Sequence, residues 1–308
     1  MKRFVLSVVT TAAGALSLAM ALATSPSRAR APEPFTDTPS SAGAKLSSTP
    51  EQAPPPACPS GMVEIEGEYC PVVEQFCVRQ VDPKHPERDR CAEFAPTGRC
   101  LGSPIPRRFC IDRYEWPNQP GVKPVVAVDW NEARQQCSGV GKRLCADSEW
   151  TLACEGQEHL PYPYGYTRNP EACNIDRPYI MPDDAKWANL KTRPEEIARL
   201  DQRDPSGTRE SCVSPYGVND MTGNVDEWVV NEKGKEREKP YVSGLKGGYW
   251  GPVRDRCRPM TTDHNQWHMG YQIGFRCCED VPGSPPQEAP APTRPASPDP
   301  TAPPAPGI

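Results

Sequence analysis

The sequence of 308 residues lacks the patterns of several common protein classes. Its formal net charge is −5 and no basic cluster is interleaved with aromatic residues, so we predict no nucleic-acid partner. It contains no Cys-x-x-Cys, and its four histidines stand singly or as the pair His264 and His268, which disfavours structural zinc. Gly-x-Ser-x-Gly, a phosphate-binding loop and His-Glu-x-x-His are also missing, so the common hydrolase, nucleotide-binding and metalloprotease signatures are excluded.

The N-terminus has the layout of a secretory signal peptide. Lys2 and Arg3 precede an apolar run over 4–23, and an Ala-x-Ala pattern ends at Ala31. An uncleaved anchor is the alternative, because the run is just long enough to span a bilayer, but its serines, threonines and glycine make it a weak membrane helix. We therefore predict that residues 1–31 are cleaved, that the mature chain has no membrane span, and that it is exported to the periplasm or extracellular space.

Two segments, 32–57 and 281–308, consist largely of Pro, Ala, Ser and Thr. They cannot bury enough surface to offset the entropy of ordering, so we predict a disordered linker and a disordered tail. Between them, 58–280 is long enough for a single sizeable core, with a cysteine-rich N-terminal part at 58–110. The fourteen cysteines are an even number and all follow the signal peptide, which predicts disulfides formed in an oxidising compartment.

Regular structure is sparse in the pattern of the central segment. Asp129 and Glu132 form a capping box ahead of an apolar run at helical spacing that reaches Val140, which predicts a short helix. A second helix is predicted from about Asp147 to Gly156. Short strand-like runs occur at 62–65, 109–111, 125–128 and 273–277. The fold class predicted is α+β, with much irregular chain held by disulfides.

Four groups of residues, taken in order, resemble the formylglycine-generating enzyme family, also called the sulfatase-modifying-factor domain. They include Phe-Cys-Ile-Asp-Arg-Tyr-Glu at 109–115, Gly-Lys-Arg-Leu-Cys-Ala-Asp-Ser-Glu-Trp at 141–150 after the run at 124–133, Gly-Asn-Val-Asp-Glu-Trp at 223–228, and Lys-Gly-Gly-Tyr-Trp at 246–250 with Ile-Gly-Phe-Arg-Cys at 273–277. The resemblance implies the fold of that family, a variant of the C-type lectin fold that is low in regular secondary structure.

The resemblance also implies two disulfides, Cys137 with Cys277 and Cys154 with Cys257. Cys277 and Cys278 are adjacent, and we expect them to bond to different partners. The sequence leaves open the pairing of the remaining cysteines: Cys58, Cys70, Cys77, Cys91, Cys100, Cys110, Cys145, Cys173, Cys212 and Cys278.

The catalytic segment departs from the family pattern. Formylglycine-generating members hold copper between two reactive cysteines after the Gly-Gly motif, where soft thiolates suit Cu(I). Here the segment 247–257 contains one cysteine, Cys257, which matches the structural partner of Cys154 instead. We therefore predict no copper site and no formylglycine generation by the family's route. Trp250 is expected to fill the vacated space.

Calcium is the cofactor that the resemblance favours. The family binds it with hard oxygen ligands, and the matching positions are Asp220, the carbonyls of Gly223 and Val225, and Glu227. The alternative is that Asp220 and Glu227 only cap the turn. A second, weaker set would use Asn174, the Ile175 carbonyl, and Asp183 or Asp184.

A histidine pair offers a further metal site. His264 and His268 have the spacing that places two imidazoles on one face of a helical turn, which suits iron, but only Asp263 is fixed nearby as a third ligand. We assign no catalytic residue from the sequence. His264 and His268 are the candidates.

Two functions remain after these exclusions. We favour a binding or scaffolding module without formylglycine-generating activity, whose partner is an unknown protein or glycan of the cell envelope. The alternative is a divergent oxygen-dependent metallo-oxidoreductase that modifies a protein or small molecule through His264, His268, or an unusual cysteine such as Cys145 or Cys278. For Cys145, an extra disulfide is the simpler explanation in a cysteine-rich exported domain.

Overall fold

The computed structural model describes residues 57–283. The predicted signal peptide, and nearly all of the predicted linker and tail, lie outside this range. Within it, no helix has both the length and the apolar character needed to cross a membrane. At the C-terminal end, Val281 is buried against Met62 and Cys110, so packing continues one residue past the predicted domain end at 280.

Short strands outnumber short helices, as expected for the α+β class. The helices are α1 (Trp130–Gly139), α2 (Asp147–Glu155), α3 (Asp184–Ala188) and α4 (Arg193–Leu200). The strands are β1 (Met62–Tyr69), β2 (Val73–Glu74), β3 (Cys77–Gln80), β4 (Cys91–Phe94), β5 (Arg99–Cys100), β6 (Ile105–Asp112), β7 (Arg143–Leu144), β8 (Asp226–Val230), β9 (Ser243–Lys246), β10 (Met260–Thr261), β11 (Ile273–Phe275) and β12 (Cys277–Asp280).

Both predicted helices are present. At the start of α1 the Asp129 carboxylate accepts a hydrogen bond from the Glu132 amide at 2.9 Å, and Glu132 accepts one from the Asp129 amide at 3.0 Å. Helix α2 ends at Gly156, whose φ of +65° lies in the region that glycine adopts without strain. The expectation that Val140 continues the buried face of α1 was wrong, because Val140 lies past the last helical residue and is exposed.

Two four-stranded sheets organise the chain. The first has the order β1-β6-β12-β7 and is antiparallel throughout. The second has the order β10-β9-β8-β11, in which only β11 runs parallel to its neighbour β8. Two small ribbons, β2 with β5 and β3 with β4, form the cysteine-rich part. The strands therefore come from distant parts of the sequence, and short-range patterns cannot fix this topology.

The strand predictions were confirmed in part. The runs 62–65 and 109–111 lie within β1 and β6, and 273–277 is divided into β11 and β12 at Arg276. The run 125–128 is not a strand. Ala127 has a φ of +60°, which an extended backbone cannot accommodate.

Seven disulfides pair all fourteen cysteines of the chain. Two of them are the pairs implied by the resemblance, Cys137–Cys277 and Cys154–Cys257. Cys278 bonds to Cys145, so the adjacent cysteines take different partners, as expected. The other bonds are Cys58–Cys110, Cys70–Cys100, Cys77–Cys91 and Cys173–Cys212.

The core has two main parts that meet at β12. One contains Trp150, Ile65 and Cys278, and the other contains Trp228 and Cys277. Successive side chains of a strand point to opposite faces, so the two adjacent cysteines enter different parts of the core.

Candidate functional site

The Gly-Gly turn after β9 is built so that only glycine fits. Gly247 and Gly248 have φ values of +88° and +75°. A Cβ on Gly247 would lie 2.9 Å from the Met221 carbonyl oxygen, and one on Gly248 would lie 2.3 Å from Asp255 Oδ1. The turn delivers Trp250 into the core, where its side chain is almost fully buried. Trp250 is therefore a core residue, and its role in filling a vacated copper site stays a prediction.

No thiol remains in this segment. Cys257 is bonded to Cys154, and both are fully buried. Cys145 and Cys278, the two unusual cysteines considered as reactive groups, are bonded to each other and are also fully buried. A thiolate is the form that binds copper or attacks a substrate, so none of these four sulfurs can do either as paired.

A narrow hollow lined by aromatic residues lies beside the Gly-Gly turn, and it is too small to admit a water molecule. Its walls come from residues 178–180, from Leu200 and Gln202, and from residues 249–251 together with Tyr271. The Tyr271 ring lies 6.3 Å from Tyr249 and 5.9 Å from Trp250, measured between ring centroids. No charged side chain is among the residues that line the hollow, and the rings that line it are packed closely together.

Tyr179 forms the exposed rim of this hollow. Its side chain is 54% exposed, and Met181, two residues on, is also exposed. Burial and the neighbouring Tyr271 raise the pKa of the Tyr249 hydroxyl, which therefore stays protonated and able to donate a hydrogen bond. Sequence reasoning missed the hollow because its three walls are far apart in the chain.

Asp226, at the start of β8, lies on the other side of the same turn. Burial raises the pKa of its carboxyl to about 7, and the hydrogen bond from the Gly248 amide and the charge of Arg254 oppose that rise. Asp226 stands inside the Gly-Asn-Val-Asp-Glu-Trp motif, but the motif alone did not indicate that the residue would be partly buried.

The loop predicted to bind calcium has the tight conformation expected of it. Asp220, Gly223 and Asn224 all have positive φ values of 56°, 77° and 57°. The Asp220 carboxylate accepts a hydrogen bond from the Gly207 amide at 2.7 Å. The structure therefore confirms the turn, whereas calcium binding stays a prediction.

Glu227 already has strong partners. Its carboxylate accepts two hydrogen bonds from Arg276, each 2.7 Å long, and one from the Trp150 indole at 2.8 Å. Arg276 is fully buried, so Glu227 serves as its counterion. A calcium ion bound to Glu227 would lie close to this guanidinium, so the predicted four-ligand set fits calcium poorly in this packing.

Glu115 is a buried carboxylate that sequence reasoning missed. It accepts hydrogen bonds from the Ser206 hydroxyl at 2.8 Å, from the Asn224 side-chain amide at 2.8 Å and from the Val225 amide at 3.3 Å. It therefore contacts the loop predicted to bind calcium, although it stands more than a hundred residues earlier in the sequence.

Glu115, Asp220 and Glu227 together place three carboxyl groups around one arginine. Burial raises the pKa of Glu115 well above its usual value and that of Asp220 to about 6, with further contributions from the neighbouring carboxylates. The pocket holds more negative groups than Arg276 can balance, so either protons or a cation must make up the difference.

The second predicted calcium set lies against the first. The Asn174 side chain donates to Asn224 Oδ1 at 3.0 Å and accepts from Arg177 Nε at 2.9 Å. Asp183 instead caps α3, accepting hydrogen bonds from the amides of Ala185 and Lys186 at 3.1 Å. These contacts give Asn174 and Asp183 structural roles, and calcium binding by this set, with the Ile175 carbonyl and Asp184, stays a prediction.

The predicted histidine pair is brought together, but in a stacked arrangement. The rings of His264 and His268 lie 3.7 Å apart and 8° from parallel. A metal ion lies in the plane of each imidazole that binds it, and two nearly parallel planes at this spacing do not meet at one ion. Burial lowers the pKa of both histidines, that of His268 to about 4. The pair is therefore neutral at pH 7, and iron binding would require a different rotamer of at least one ring.

Comparison with known proteins agrees with this architecture. Residues 108–281 match the family described as the sulfatase-modifying factor enzyme 1-like domain. The chain is 30% identical over 172 residues to the inactive C-alpha-formylglycine-generating enzyme 2 of Bos taurus, covering 54% of this chain and 52% of that protein. It is 25% identical to the formylglycine-generating enzyme of Mus musculus, covering 54% and 41%.

The family match covers more than half of the chain, and the chain belongs to the sulfatase-modifying factor enzyme 1-like domain family. It has the α+β fold of formylglycine-generating enzymes. Among solved structures it resembles PvdO from Pseudomonas aeruginosa, with 17% identity and a TM-score of 0.43 over 71% of this chain and 94% of that one. The chain spans about half the length, or less, of the first curated relatives that it matches.

Proposed function

We propose that this chain is an exported, non-catalytic member of its family that works as a binding or scaffolding module. The observation that carries the proposal is that every cysteine is held in a disulfide, including Cys257. The oxidative chemistry of the family's enzymes requires thiolates that bind copper, and none is available here. The similarity to a relative named as inactive supports the same conclusion.

The exposed rim of the hollow beside the Gly-Gly turn is the surface that we assign to the ligand. It presents the ring and hydroxyl of Tyr179 together with the Met181 side chain, which are 54% and 72% exposed. Such a surface suits a neutral ligand that presents an apolar face and hydrogen-bonding groups at its edge, as a glycan or a peptide segment does. The partner we propose is a protein or glycan of the cell envelope.

Export is part of the proposal. Seven disulfides indicate an oxidising compartment, and the N-terminal pattern of Lys2, Arg3 and the apolar run suggests the route. N-terminal sequencing of the protein recovered outside the cytoplasm tests it. A mature chain that begins after residue 31 is the expected result, and an intact Met1 would contradict cleavage.

Activity is tested with the full mature chain, copper, oxygen and a cysteine-containing sulfatase peptide. We expect no aldehyde, while the formylglycine-generating enzyme of Mus musculus, assayed in parallel, produces it. Aldehyde formation by this chain would overturn the proposal. Native thiol titration provides a second measurement, and accessible thiols would revive the oxidative alternative.

Binding is tested by applying the mature chain to purified cell-wall glycans and to envelope proteins. Replacing Tyr179 by alanine should weaken binding at least tenfold, because the exposed ring forms the rim of the hollow. Phe76→Ala is the matched control, since Phe76 is also 54% exposed but lies in the cysteine-rich part. Equal losses in both variants, or none in either, would show that the hollow is not the binding surface.

A further inference from the structure

A group of potential metal ligands lies outside the sites described so far. Cys70, Cys100 and His159 each offer one ligand atom, and these atoms lie within 4.8 Å of one another. The cysteines belong to the cysteine-rich part, whereas His159 follows α2. The two sulfurs are joined as a disulfide, so they cannot bind a metal ion in that state.

His159 is held in an unusual conformation beside the disulfide. Its φ is +54°, which residues other than glycine rarely adopt. Its carbonyl oxygen accepts a hydrogen bond from Gln75 Nε2 at 2.8 Å, which ties this loop to the cysteine-rich part. Backbone strain of this kind persists only where the surroundings enforce it.

The imidazole also has the outer partner that metal-binding histidines use. Its Nδ1 lies 3.4 Å from Glu155 Oε1, and Glu155 is fixed in turn by Arg258, whose Nε is 2.7 Å from Glu155 Oε2. A carboxylate on one ring nitrogen orients the ring and leaves the other nitrogen to coordinate. Here that nitrogen is Nε2.

The exposure of this disulfide suits reversible opening. Cys70 is buried, but Cys100 is partly exposed and can be reached by a dithiol reductant. Arg258 Nη2 donates a hydrogen bond to the Cys70 carbonyl at 2.9 Å, so the pair of Arg258 and Glu155 joins the cysteine-rich part to the residue that orients His159.

We propose that Cys70, Cys100 and His159 form a site for a thiophilic metal ion that opens when their disulfide is reduced. A dithiol reductant gives two electrons and two protons to the disulfide, yielding two thiols, and is itself oxidised to a disulfide. A divalent ion such as Zn²⁺ then displaces the two thiol protons and binds both sulfurs and His159 Nε2. In a tetrahedral site the sulfurs are about 3.8 Å apart, which a Cα–Cα distance of 5.8 Å allows.

The test uses the full mature chain, reduced in steps with dithiothreitol under nitrogen. At each step, alkylation and peptide mapping of one sample identify the open disulfide. A second, unalkylated sample is freed of dithiothreitol under nitrogen and titrated with Zn²⁺ or with Co²⁺, whose thiolate absorption reports sulfur ligation. We expect one ion per chain once Cys70–Cys100 is open. His159→Asn, which suits the positive φ but lacks the imidazole, should weaken binding at least tenfold.

The matched control is the Cys77–Cys91 disulfide, which lies in the same part and also joins an exposed to a buried cysteine. The double variant Cys77→Ser with Cys91→Ser should keep the metal site, and Cys70→Ser with Cys100→Ser should lose it. Equal affinity in His159→Asn would overturn the proposal. So would a Cys70–Cys100 bond that opens only after the fold is lost, as judged by circular dichroism.

Discussion

The disulfides of the cysteine-rich part and those of the family domain differ in where their sulfurs lie. In the part that matches the family, Cys137–Cys277, Cys145–Cys278, Cys154–Cys257 and Cys173–Cys212 join cysteines that are all 0% exposed. In the bonds of the cysteine-rich part, one cysteine reaches the surface while the other is buried, as in Cys77–Cys91. The inner bonds therefore belong to the core, and the outer bonds hold surface ribbons in place.

This difference shows that one residue type has two roles in one chain. The inner bonds Cys137–Cys277 and Cys145–Cys278 close long loops, with sequence separations of 140 and 133, whereas Cys77–Cys91 spans only 14. On the chain-entropy model a longer loop gives greater stabilisation, although the dependence is only logarithmic. Inner sulfurs are also shielded from reductant, so stability and resistance to reduction should vary together.

The sharpest way to break this comparison is to remove one bond from each group. Replacing Cys137 and Cys277 by alanine should lower the free energy of unfolding by about 5 kcal/mol, which is comparable to the whole stability of many domains. Replacing Cys77 and Cys91 by serine should cost about 3 kcal/mol, since its loop is short. Urea unfolding followed by tryptophan fluorescence measures both losses in the free energy of unfolding. Equal losses would contradict the expectation that the inner bond stabilises the fold more than the outer bond.

A smaller but still large effect is expected from the buried ion pair of the family domain. Arg276→Met should lower the free energy of unfolding by about 3–5 kcal/mol, because it leaves Glu227 buried without its counterion. Arg79→Met is the control, since Arg79 pairs with Glu93 at the exposed surface of the cysteine-rich part, where ion pairs contribute about 0–1 kcal/mol. Similar thermal midpoints for the two variants would contradict the assigned role of Arg276.

The pH dependence of stability separates the two regions further. Asp220 has a pKa of about 6 in the folded chain against 3.8 for the free side chain, so the folded state holds its proton more tightly. Its contribution is therefore full below about pH 4 and is lost as the pH rises to about 6. Without added metal, Asp220→Asn should be more stable than the parent at pH 7 and equal to it near pH 4. A constant difference across this range, in thermal melts, would show that Asp220 does not titrate in this way.

Calcium should give the smallest of these effects, because Glu227, one of its predicted ligands, is already bound to Arg276. If a cation balances the carboxylates around Arg276, calcium in excess over EGTA should raise the thermal midpoint by a few degrees, as expected for a ligand that binds only the folded state. Asp220→Asn should abolish the rise, while Asp183→Asn, at the cap of α3, should retain it. If calcium does not change the thermal midpoint of the parent protein, no bound calcium balances these carboxylates. Protonation would then balance their charge.

The sequence predicted those parts of the fold that depend on local signals or on family motifs. The capping box at Asp129, the glycine that ends α2, and the two implied disulfides were all found. Helices α3 and α4 were missed because they are short and mostly charged, and only Glu196 and Leu200 among their residues are buried. The strand expected at 125–128 was wrong because the positive φ of Ala127 is set by tertiary packing, which alanine itself does not signal.

The site was predicted less completely than the fold. Asp220, Gly223 and Glu227 could be located by their motif, but the partner that occupies Glu227 is Arg276, which lies 49 residues later in the chain. Glu115 and the walls of the aromatic hollow come from segments that approach only in the folded chain. A pattern within one segment carries no record of such contacts, so the charge balance of the buried cluster could not be inferred from the sequence.

The adjacent cysteines of β12 also have a mechanical consequence. Cys277 is tied to Cys137 in α1, and Cys278 is tied to Cys145 beside α2, from opposite faces of one strand. A pull applied to the chain beyond Asp280 would therefore separate only Glu279 and Asp280 from β6 before it reached these two covalent bonds. The two disulfides should therefore limit how far the C-terminal end of the domain unfolds under tension. The force would be transmitted to both parts of the core.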